Sequence, residues 1–474
     1  NKEKIVLDHW SSEIKESFEI VSSSKNFSAK IGNLLTFTLG SGQTVFALGM
    51  GEKKSLDFEN LRKEIAKLYH KVSSDYSLIA IALDGFTLKD NDNDSFVSIV
   101  EALELSSYKF DKHFSKKTEQ KLQNVTFISK KQKTSKEKPY RSLIQRTQNI
   151  TSSVHLARDL VNEPPNILNS EAYAKRVEKD AKSLKKGVKV KILGKQELEK
   201  EKMGMFLSVN KGSKYGPRLV HLTYSPKGAT KKTKHVALVG KGITFDTGGY
   251  SLKPGAGMIN MKFDMAGSAT TYAAFRAAVL TGADCKISCF LGMTDNAVNE
   301  KATFPDSVVK ARNGKTVEIL NTDAEGRLVL GDVLDYACDQ KPDAVIDAAT
   351  LTGACLVSLG TEVCGLMGNN EKLKKNLMKA SSKTNEYLWE LPIVDEFRND
   401  MKSHIADLKN IGSSRFAGTS KAAAFLENFV KPEIPWAHLD IAGVGDSQSH
   451  LPYCPKKGAS GQMVRTLVEY LHNA

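Results

Sequence analysis

Two carboxylates stand two residues apart in the segment 321–328, which reads Asn-Thr-Asp-Ala-Glu-Gly-Arg-Leu. In an extended or loop backbone, Asp323 and Glu325 can point to the same side. Gly326 follows at once, and Arg327 then adds a fixed positive charge and a planar set of donors. Taken alone, the segment also fits an ordinary capping loop, because Asn, Thr, Asp and Glu are common where a helix begins.

A second group of charged residues follows the apolar run 235–240. Lys241, Asp246, Lys253 and Asp264 are spread among glycines, which allow close approach of the backbone to a ligand. Each has an ordinary alternative as a solvated strand end, a turn residue, a surface charge or a helix cap. With the two acids of segment 321–328, however, they supply four carboxylates, a ligand set suited to divalent ions.

Four converging carboxylates would repel one another strongly unless cations lie between them. Two divalent ions match their charge. A bridging carboxylate such as Asp246 could hold the ions roughly 3.5–4 Å apart, the usual spacing of hydrolytic sites with two metals.

The elements around these residues predict an α/β fold. A strand at 317–320 and apolar residues at helical spacing over 328–337 would place the acidic segment at a strand exit, where open α/β sheets bind ligands. Strand patterns alternate with helices through the C-terminal two-thirds, which predicts a mostly parallel central sheet covered by helices. The predicted strands are 188–193, 219–224, 235–240, 285–292, 344–349 and 436–441.

The length of 474 residues exceeds what one core usually holds, so two domains are expected. We predict a smaller N-terminal α/β domain at 1–139, with a role in assembly or access, a linker helix at 140–165, and a larger catalytic domain at 166–474. None of the metal-ligand candidates lies in the first domain.

The composition, 41% apolar and 26% charged, is that of a globular protein, and no apolar run is long enough for a transmembrane helix. The six cysteines form no Cys-x-x-Cys pair and indicate reduced thiols of a cytoplasmic protein. Within 112–141, basic residues outnumber acidic ones by eight, against a net charge of +14 for the chain. A solvated connector is the favoured interpretation, and a nucleic-acid contact is the alternative.

These charged segments resemble the leucyl aminopeptidase family of dinuclear metallopeptidases. The octapeptide 321–328 matches the family signature, and Lys-Gly-Ile-Thr-Phe-Asp, Ser-Leu-Lys and Met-Lys-Phe-Asp-Met match its other site segments in order and spacing. The likeness runs from about Arg158 to Ala459 and is weak in the N-terminal part. Residues 461–463, Gly-Gln-Met, depart from the Gly-Arg-Pro common in the family. The resemblance implies a homohexamer built as a dimer of trimers.

The resemblance also implies roles for individual residues. The first metal would be held by Asp246, Asp323 and Glu325. The second would be held by Lys241, Asp246, Asp264 and Glu325. Zn²⁺ is the expected ion, with Mn²⁺, Mg²⁺ or Co²⁺ as alternatives at the exchangeable site. Lys253 would stabilise the oxyanion, and Arg327 would hold a bicarbonate that acts as general base. The substrate-binding residues would be Met261, Asn321, Ala324, Thr350 and Gly353. Bicarbonate would also contact the backbones of Gly326 and Leu351.

The activity implied is release of N-terminal residues, with a leucine-like preference, from peptides that carry a free amine. A water or hydroxide bridging the metals would attack the scissile carbonyl. Two other classes stay open at this point: a nucleic-acid-binding regulator with the same fold, and a catalytically inactive scaffold.

Overall fold

The computed structural model describes residues 10–52, 54–86, 92–117, 119–129, 137–184 and 187–474. The chain divides into two compact units. The first comprises Asn1–Thr151 with His450–Cys454, and the second comprises Ser152–Ser449 with Pro455–Ala474. Both units contain helices and strands, so the expected two-domain α/β class is confirmed. No described helix is both long and apolar enough to cross a membrane.

The first unit is built from short elements. Its helices and strands are α1 (Ser12–Ser24), β1 (Leu34–Thr38), β2 (Thr44–Leu48), α2 (Phe58–Val72), β3 (Leu78–Ala82), α3 (Asp92–Ser106) and β4 (Asn124–Ile128). β1 and β2 form an antiparallel hairpin, and β3 pairs with β4 in parallel. In β1, the buried residues Leu35 and Phe37 alternate with more exposed ones, because the face that they form packs on Phe18 of α1. The chain enters the second unit within α4 (Glu137–Asn162).

The basic segment 112–141 is only partly described. Residues 118 and 130–136 lie outside the described residues, and they include four of its ten basic residues. Its proposed contact with nucleic acid therefore stays a prediction.

The second unit contains the remaining elements. They are α5 (Ser170–Ser183), β5 (Val188–Leu193), α6 (Lys195–Lys200), α7 (Gly204–Asn210), β6 (Arg218–Tyr224), β7 (His235–Asp246), α8 (Gly255–Met258), α9 (Ala266–Thr281), β8 (Lys286–Asn296), β9 (Ser307–Lys310), β10 (Thr316–Ile319), α10 (Gly326–Cys338), β11 (Ala344–Ala349), α11 (Gly353–Leu359), β12 (Cys364–Gly368), α12 (Glu371–Thr384), β13 (Leu388–Glu390), α13 (Asp395–Asp400), β14 (Leu408–Lys409), α14 (Gly418–Glu427), β15 (Trp436–Asp440) and α15 (Val464–His472). A 3₁₀ helix, Met261–Met265, precedes α9.

Eight strands form the central sheet in the order β13-β12-β15-β11-β7-β8-β6-β5. Four of the seven pairings are parallel, and the parallel ladder β15-β11-β7-β8 forms the middle of the sheet. The predicted mostly parallel sheet is therefore mixed, with antiparallel pairings on both sides of that ladder. Every residue of β11 is buried, and since successive side chains point to opposite faces, both faces are covered.

Helices cover the sheet in two groups. α7, α10 and α14 pack together, and α9, α12 and α15 form the other group. A separate three-stranded sheet, β14-β10-β9, leads the chain into segment 321–328. All six cysteines are buried and free, as expected for reduced core thiols.

Candidate metal centre

The five predicted metal ligands converge in the second unit. One carboxylate oxygen from each of Asp246, Asp323 and Glu325 lies within 4.8 Å of the others. Lys241 Nζ lies 2.7 Å from Asp264 Oδ1 and 3.2 Å from Glu325 Oε1. Side chains that are separated by more than eighty positions in the sequence therefore form one centre.

A bulge in β7 brings two of these residues to the same side. Lys241 and Asp246 are five positions apart, so a regular strand would direct them to opposite faces. Ile243 pairs with Thr294 of β8. The next pair joins Asp246 to Asn296, so β7 has one residue more than β8 in this interval. The extra residue restores a common direction for the two ligands, which the sequence pattern alone does not reveal.

The acidic segment connects β10 to α10. β10 ends at Ile319, and α10 begins at Gly326. Glu325 occupies the N-cap position, yet its side chain accepts no capping hydrogen bond. The Asn321 side chain accepts a hydrogen bond from the Asp323 amide at 2.8 Å. The loop therefore directs its acids toward the centre, and the capping-loop alternative does not account for Glu325.

Gly326 permits close packing where α10 begins. A Cβ on Gly326 would lie 2.4 Å from Cε of Lys241, which is far inside van der Waals contact. Gly248 has φ +88°, and a Cβ there would lie 3.0 Å from Asp323 Oδ1. Both glycines are therefore required by the approach of the backbone to the charged side chains.

The two lysines each contact two carboxylates. Lys253 Nζ lies 2.9 Å from Asp246 Oδ2 and also pairs with Asp323. Burial lowers the pKa of each lysine, but the adjacent carboxylates outweigh burial, so the pKa values of Lys241 and Lys253 are raised. In the absence of metal, both lysines are thus ammonium groups that partly neutralise the acids.

The two lysines do not fully neutralise the negative charge of the buried acids. Burial raises the pKa of both Asp264 and Glu325, and the negative charge of Asp246 raises them further. Asp264 Oδ2 and Glu325 Oε2 are buried, and neither has a hydrogen-bond partner among the described residues. Such atoms are rare in folded proteins, and carboxylate oxygens without a partner are suited to ligate a cation.

Arg327 lies beside this centre. Its Nη1 donates to the Asn410 carbonyl at 2.9 Å, while Nε has no partner within the described part of the chain. Burial lowers the pKa of Arg327 to about 10. The amide of Leu351, a predicted bicarbonate contact, donates to Asp440 Oδ1 at 3.2 Å, so an anion bound there would share it.

The predicted substrate-binding residues lie along the same chain segments. Thr350 donates from Oγ1 to Asp264 at 2.7 Å, and its carbonyl accepts from Lys241 at 2.8 Å. Met261 begins the 3₁₀ helix that contains Asp264, and Gly353 is exposed at the start of α11. Asn321 and Ala324 belong to the acidic segment itself. Their contacts with substrate stay predictions.

Sequence reasoning missed the side chains that support the ligands. Asn296, at the end of β8, donates from Nδ2 to Asp246 Oδ1 at 2.8 Å and to the Thr322 carbonyl at 3.0 Å. The Thr322 hydroxyl donates to the Gly248 carbonyl at 2.7 Å. Asn296 lies four residues past the end of the predicted strand 285–292, so no sequence pattern marked it as a support.

Comparison with known proteins is consistent with this geometry. Residues 155–468 match the catalytic domain of the cytosol aminopeptidase family, and residues 4–117 match its N-terminal domain. The chain is 40% identical over 442 residues to a probable cytosol aminopeptidase of Sulfurihydrogenibium sp., covering 92% of this chain and 86% of the relative. It is 40% identical over 436 residues to that of Bdellovibrio bacteriovorus, covering 91% and 86%.

A solved structure shows the same fold. The bottromycin maturation enzyme BotP in complex with Mn is 31% identical, with a TM-score of 0.86 over 95% of both chains. The N-terminal match shows that family likeness extends further than the sequence motifs indicated. The chain therefore belongs to the cytosol aminopeptidase family, whose members are metal-dependent aminopeptidases.

Proposed function

We propose that this chain releases N-terminal residues, preferentially leucine-like ones, from peptides with a free amine, using two divalent ions. One observation carries the proposal. Two buried carboxylate oxygens, on Asp264 and Glu325, have no partner among the described residues, although Asp246, Asp323 and Glu325 converge and Lys241 joins Asp264 to Glu325.

The donor set fits divalent cations. Four carboxylates and one amine nitrogen are hard or borderline ligands, and Asp246 and Glu325 would each help to hold both ions. Lys241 must lose its proton to become a ligand, and a neighbouring dication would lower its pKa for that purpose. Lys241, Asp246, Asp264, Asp323 and Glu325 would hold the ions. Zn²⁺ and Mn²⁺ are the candidates, the second because the similar BotP structure contains Mn.

Divalent cations at this centre would polarise the scissile carbonyl and lower the pKa of the attacking water. The residues of the chain have separate tasks. Lys253 is the more exposed of the two lysines, with 16% of its side chain exposed against 3% for Lys241, so its ammonium can reach the substrate. It would donate a hydrogen bond to the oxyanion as that charge develops.

Arg327 would bind bicarbonate as the general base. Its Nε, which has no partner among the residues that the structure describes, and the first amides of α10 both favour an anion. The free amine of the substrate, a good ligand for a divalent ion, would be held at the same centre, which limits cleavage to the first residue. Met261 and Thr350 would contact the first side chain, and an adaptable Met suits an apolar one.

We also propose that the chain assembles into a homohexamer and acts in the cytoplasm. Support for assembly comes from apolar side chains that are exposed in the single chain, including Val357 of α11 and Trp389 of β13. Sedimentation velocity of the purified chain would measure the number of subunits.

The function is tested by metal analysis combined with hydrolysis of amino-acid amides. Purified protein is assayed after chelation and after addition of Zn²⁺ or Mn²⁺, with a panel that includes leucine, methionine, glutamate and lysine amides. We expect metal-dependent turnover that is fastest with leucine and methionine and is lost when the amine is acetylated. Hydrolysis of acetylated amides at the same rate, or full activity in the chelated protein, would refute the proposal.

A further inference from the structure

Asn410 lies just past the end of β14 and continues the hydrogen bonding between β14 and β10. β14 ends at Lys409, which pairs with Glu318 of β10. Asn410 follows, is fully buried, and donates its amide to the Glu318 carbonyl at 2.9 Å. The backbone pairing of the two strands ends there.

The side chain of Asn410 then takes over the pairing. Its Oδ1 accepts from the amides of Leu320, at 2.9 Å, and Asn321, at 3.3 Å. Its Nδ2 donates to the Asn321 carbonyl at 2.6 Å. A carboxamide presents the same donor and acceptor as a peptide group, so it can replace a strand residue here. The entry to the acidic segment is thereby fixed two residues before Asp323.

The backbone of Asn410 fixes the other end of that segment. Its carbonyl accepts from Arg327 Nη1 at 2.9 Å, the one hydrogen bond found for this guanidinium in the described structure. A single buried residue therefore contacts both ends of segment 321–327, within which Asp323 and Glu325 lie.

We propose that Asn410 is a positioning residue for this centre, which sets the distance between Arg327 and the carboxylates Asp323 and Glu325. It contacts neither the reacting atoms nor the ions and acts only through segment 321–327. Its role in placing Arg327 for catalysis rests on the proposed function. Its role in placing Asp323 and Glu325 concerns metal affinity, which can be measured without turnover.

Two variants test the inference. Asn410→Ala removes all three side-chain hydrogen bonds, and Asn410→Asp keeps the shape and the acceptor but loses the donor. Supporting groups behind metal ligands are typically worth about 10–100-fold in activity or metal affinity. We expect losses of that size in kcat and in Mn²⁺ affinity, measured by titration calorimetry, with a smaller change in KM.

A pH profile separates positioning from general support of the fold. In Asn410→Asp, the protonated acid can donate to the Asn321 carbonyl as the amide did, while the ionised acid cannot. The ratio of its kcat to that of the parent, which cancels effects common to both proteins, should therefore rise as the pH falls. Asn410→Ala should show no such recovery.

Asn369 provides a matched control. Its Oδ1 accepts from the Trp436 amide at 2.7 Å and its Nδ2 donates to the Ile434 carbonyl at 3.1 Å, so it bridges backbone at the start of β15. Asn369→Ala should lower the melting temperature and leave kcat and Mn²⁺ affinity close to those of the parent. Equal losses in this control would overturn the inference.

The inference also fails if Asn410→Ala keeps both kcat and Mn²⁺ affinity within about twofold of the parent, well below the range for supporting groups, whatever its melting temperature. A parent that binds Mn²⁺ but hydrolyses no amide would refute the proposed function instead. The comparison of Mn²⁺ affinities would still decide the role of Asn410.

Discussion

The two lysines at the centre have different environments and are suited to different roles. Lys241 is enclosed by Asp264, Glu325 and the Thr350 carbonyl, and it must become neutral to bind a metal. Lys253 instead contacts Asp246 and Asp323, is the more exposed of the two lysines, and can keep its proton. One lysine is therefore suited to be a ligand, and the other to stabilise negative charge on a substrate.

Replacement of Lys253 should separate catalysis from metal binding. We expect Lys253→Met to lower kcat by about 100- to 1,000-fold, because removal of one preorganised oxyanion donor commonly costs that much. Metal content should stay at the parent level, since the ammonium competes with cations for Asp246 rather than holding them. Steady-state kinetics and elemental analysis measure the two effects.

Lys253→Arg is the control for charge. It keeps the positive charge in a different shape, so its kcat should lie between those of the parent and Lys253→Met. If Lys253→Met is purified without metal, Lys253 is a ligand and its assignment here is wrong.

At the scale of the elements, the junction of β10 and α10 determines the geometry of the acids. Gly326 is the first residue of α10, and the side chain of Lys241 packs directly against it. The Thr322 hydroxyl donates to the Gly248 carbonyl and so joins the acidic loop to the residues after β7. These contacts join the loop after β10 to β7 and to the residues that follow β7, so the local conformation of the loop depends on the folded sheet.

Gly326→Ala should damage the site without damaging the helix. Ala favours a helix interior by roughly 1 kcal/mol over Gly, yet here its Cβ would press on Lys241 Cε. We expect weaker Mn²⁺ binding and a lower kcat with little change in the helical circular dichroism signal.

Gly255→Ala is the matched substitution, since a Cβ at this first residue of α8 meets no atom within 4 Å. Its Mn²⁺ affinity and kcat should equal those of the parent. Parent-like Mn²⁺ affinity in Gly326→Ala would show that Lys241 can move aside without cost.

His221 of β6 should make stability depend on pH. Its ring lies 4.3 Å from that of Phe290, and burial lowers the pKa of His221 to about 4. Between the unfolded value of about 6.5 and the folded value, only the unfolded chain binds the proton, so stability falls as the pH drops through this window. His221→Phe should flatten this dependence in melting curves between about pH 7.5 and about pH 5.

The exposed His404 supplies the control for that comparison. His404→Phe should leave the difference in melting temperature between the two pH values unchanged. If His221→Phe loses as much stability on acidification as the parent, another group is responsible.

Hydrophobic periodicity predicted six of the eight strands of the central sheet, because burial on both faces leaves long apolar runs, as in β7 and β11. The strands β12 and β13 at one edge were not predicted. It could not predict the bulge before Asp246, which exists only relative to β8. The ligands were recognisable as charged residues at strand ends. Their supports, Asn296 and Asn410, were not, because a lone Asn near the end of a strand has no sequence pattern that distinguishes it from a turn residue.

At the scale of the whole molecule, the proposed chemistry belongs to one of the two units. Every proposed ligand lies in the second unit, and the first matches the N-terminal domain of the same family. Sequence motifs are concentrated where reacting groups fix the residue type. None of the proposed ligands lies in the first unit, and its family membership became visible only in the match of residues 4–117 to the N-terminal domain of the family.

Metal binding should stabilise the second unit selectively. A ligand present at about 100 times its dissociation constant stabilises the native state by about 2.7 kcal/mol, and cations would also relieve the repulsion among the buried acids. Hydrogen exchange with Mn²⁺ should therefore slow in segment 320–325 and in the 3₁₀ helix Met261–Met265, relative to protein in chelator. Peptides from α2 and α3, which contain no ligand, should exchange at the same rate in both conditions.

Glu325→Gln keeps the shape of the shared ligand without its charge, and it should abolish the slowing of exchange by Mn²⁺. An equal response in this variant, or equal slowing in α2 and α3, would mean that Mn²⁺ acts elsewhere on the chain.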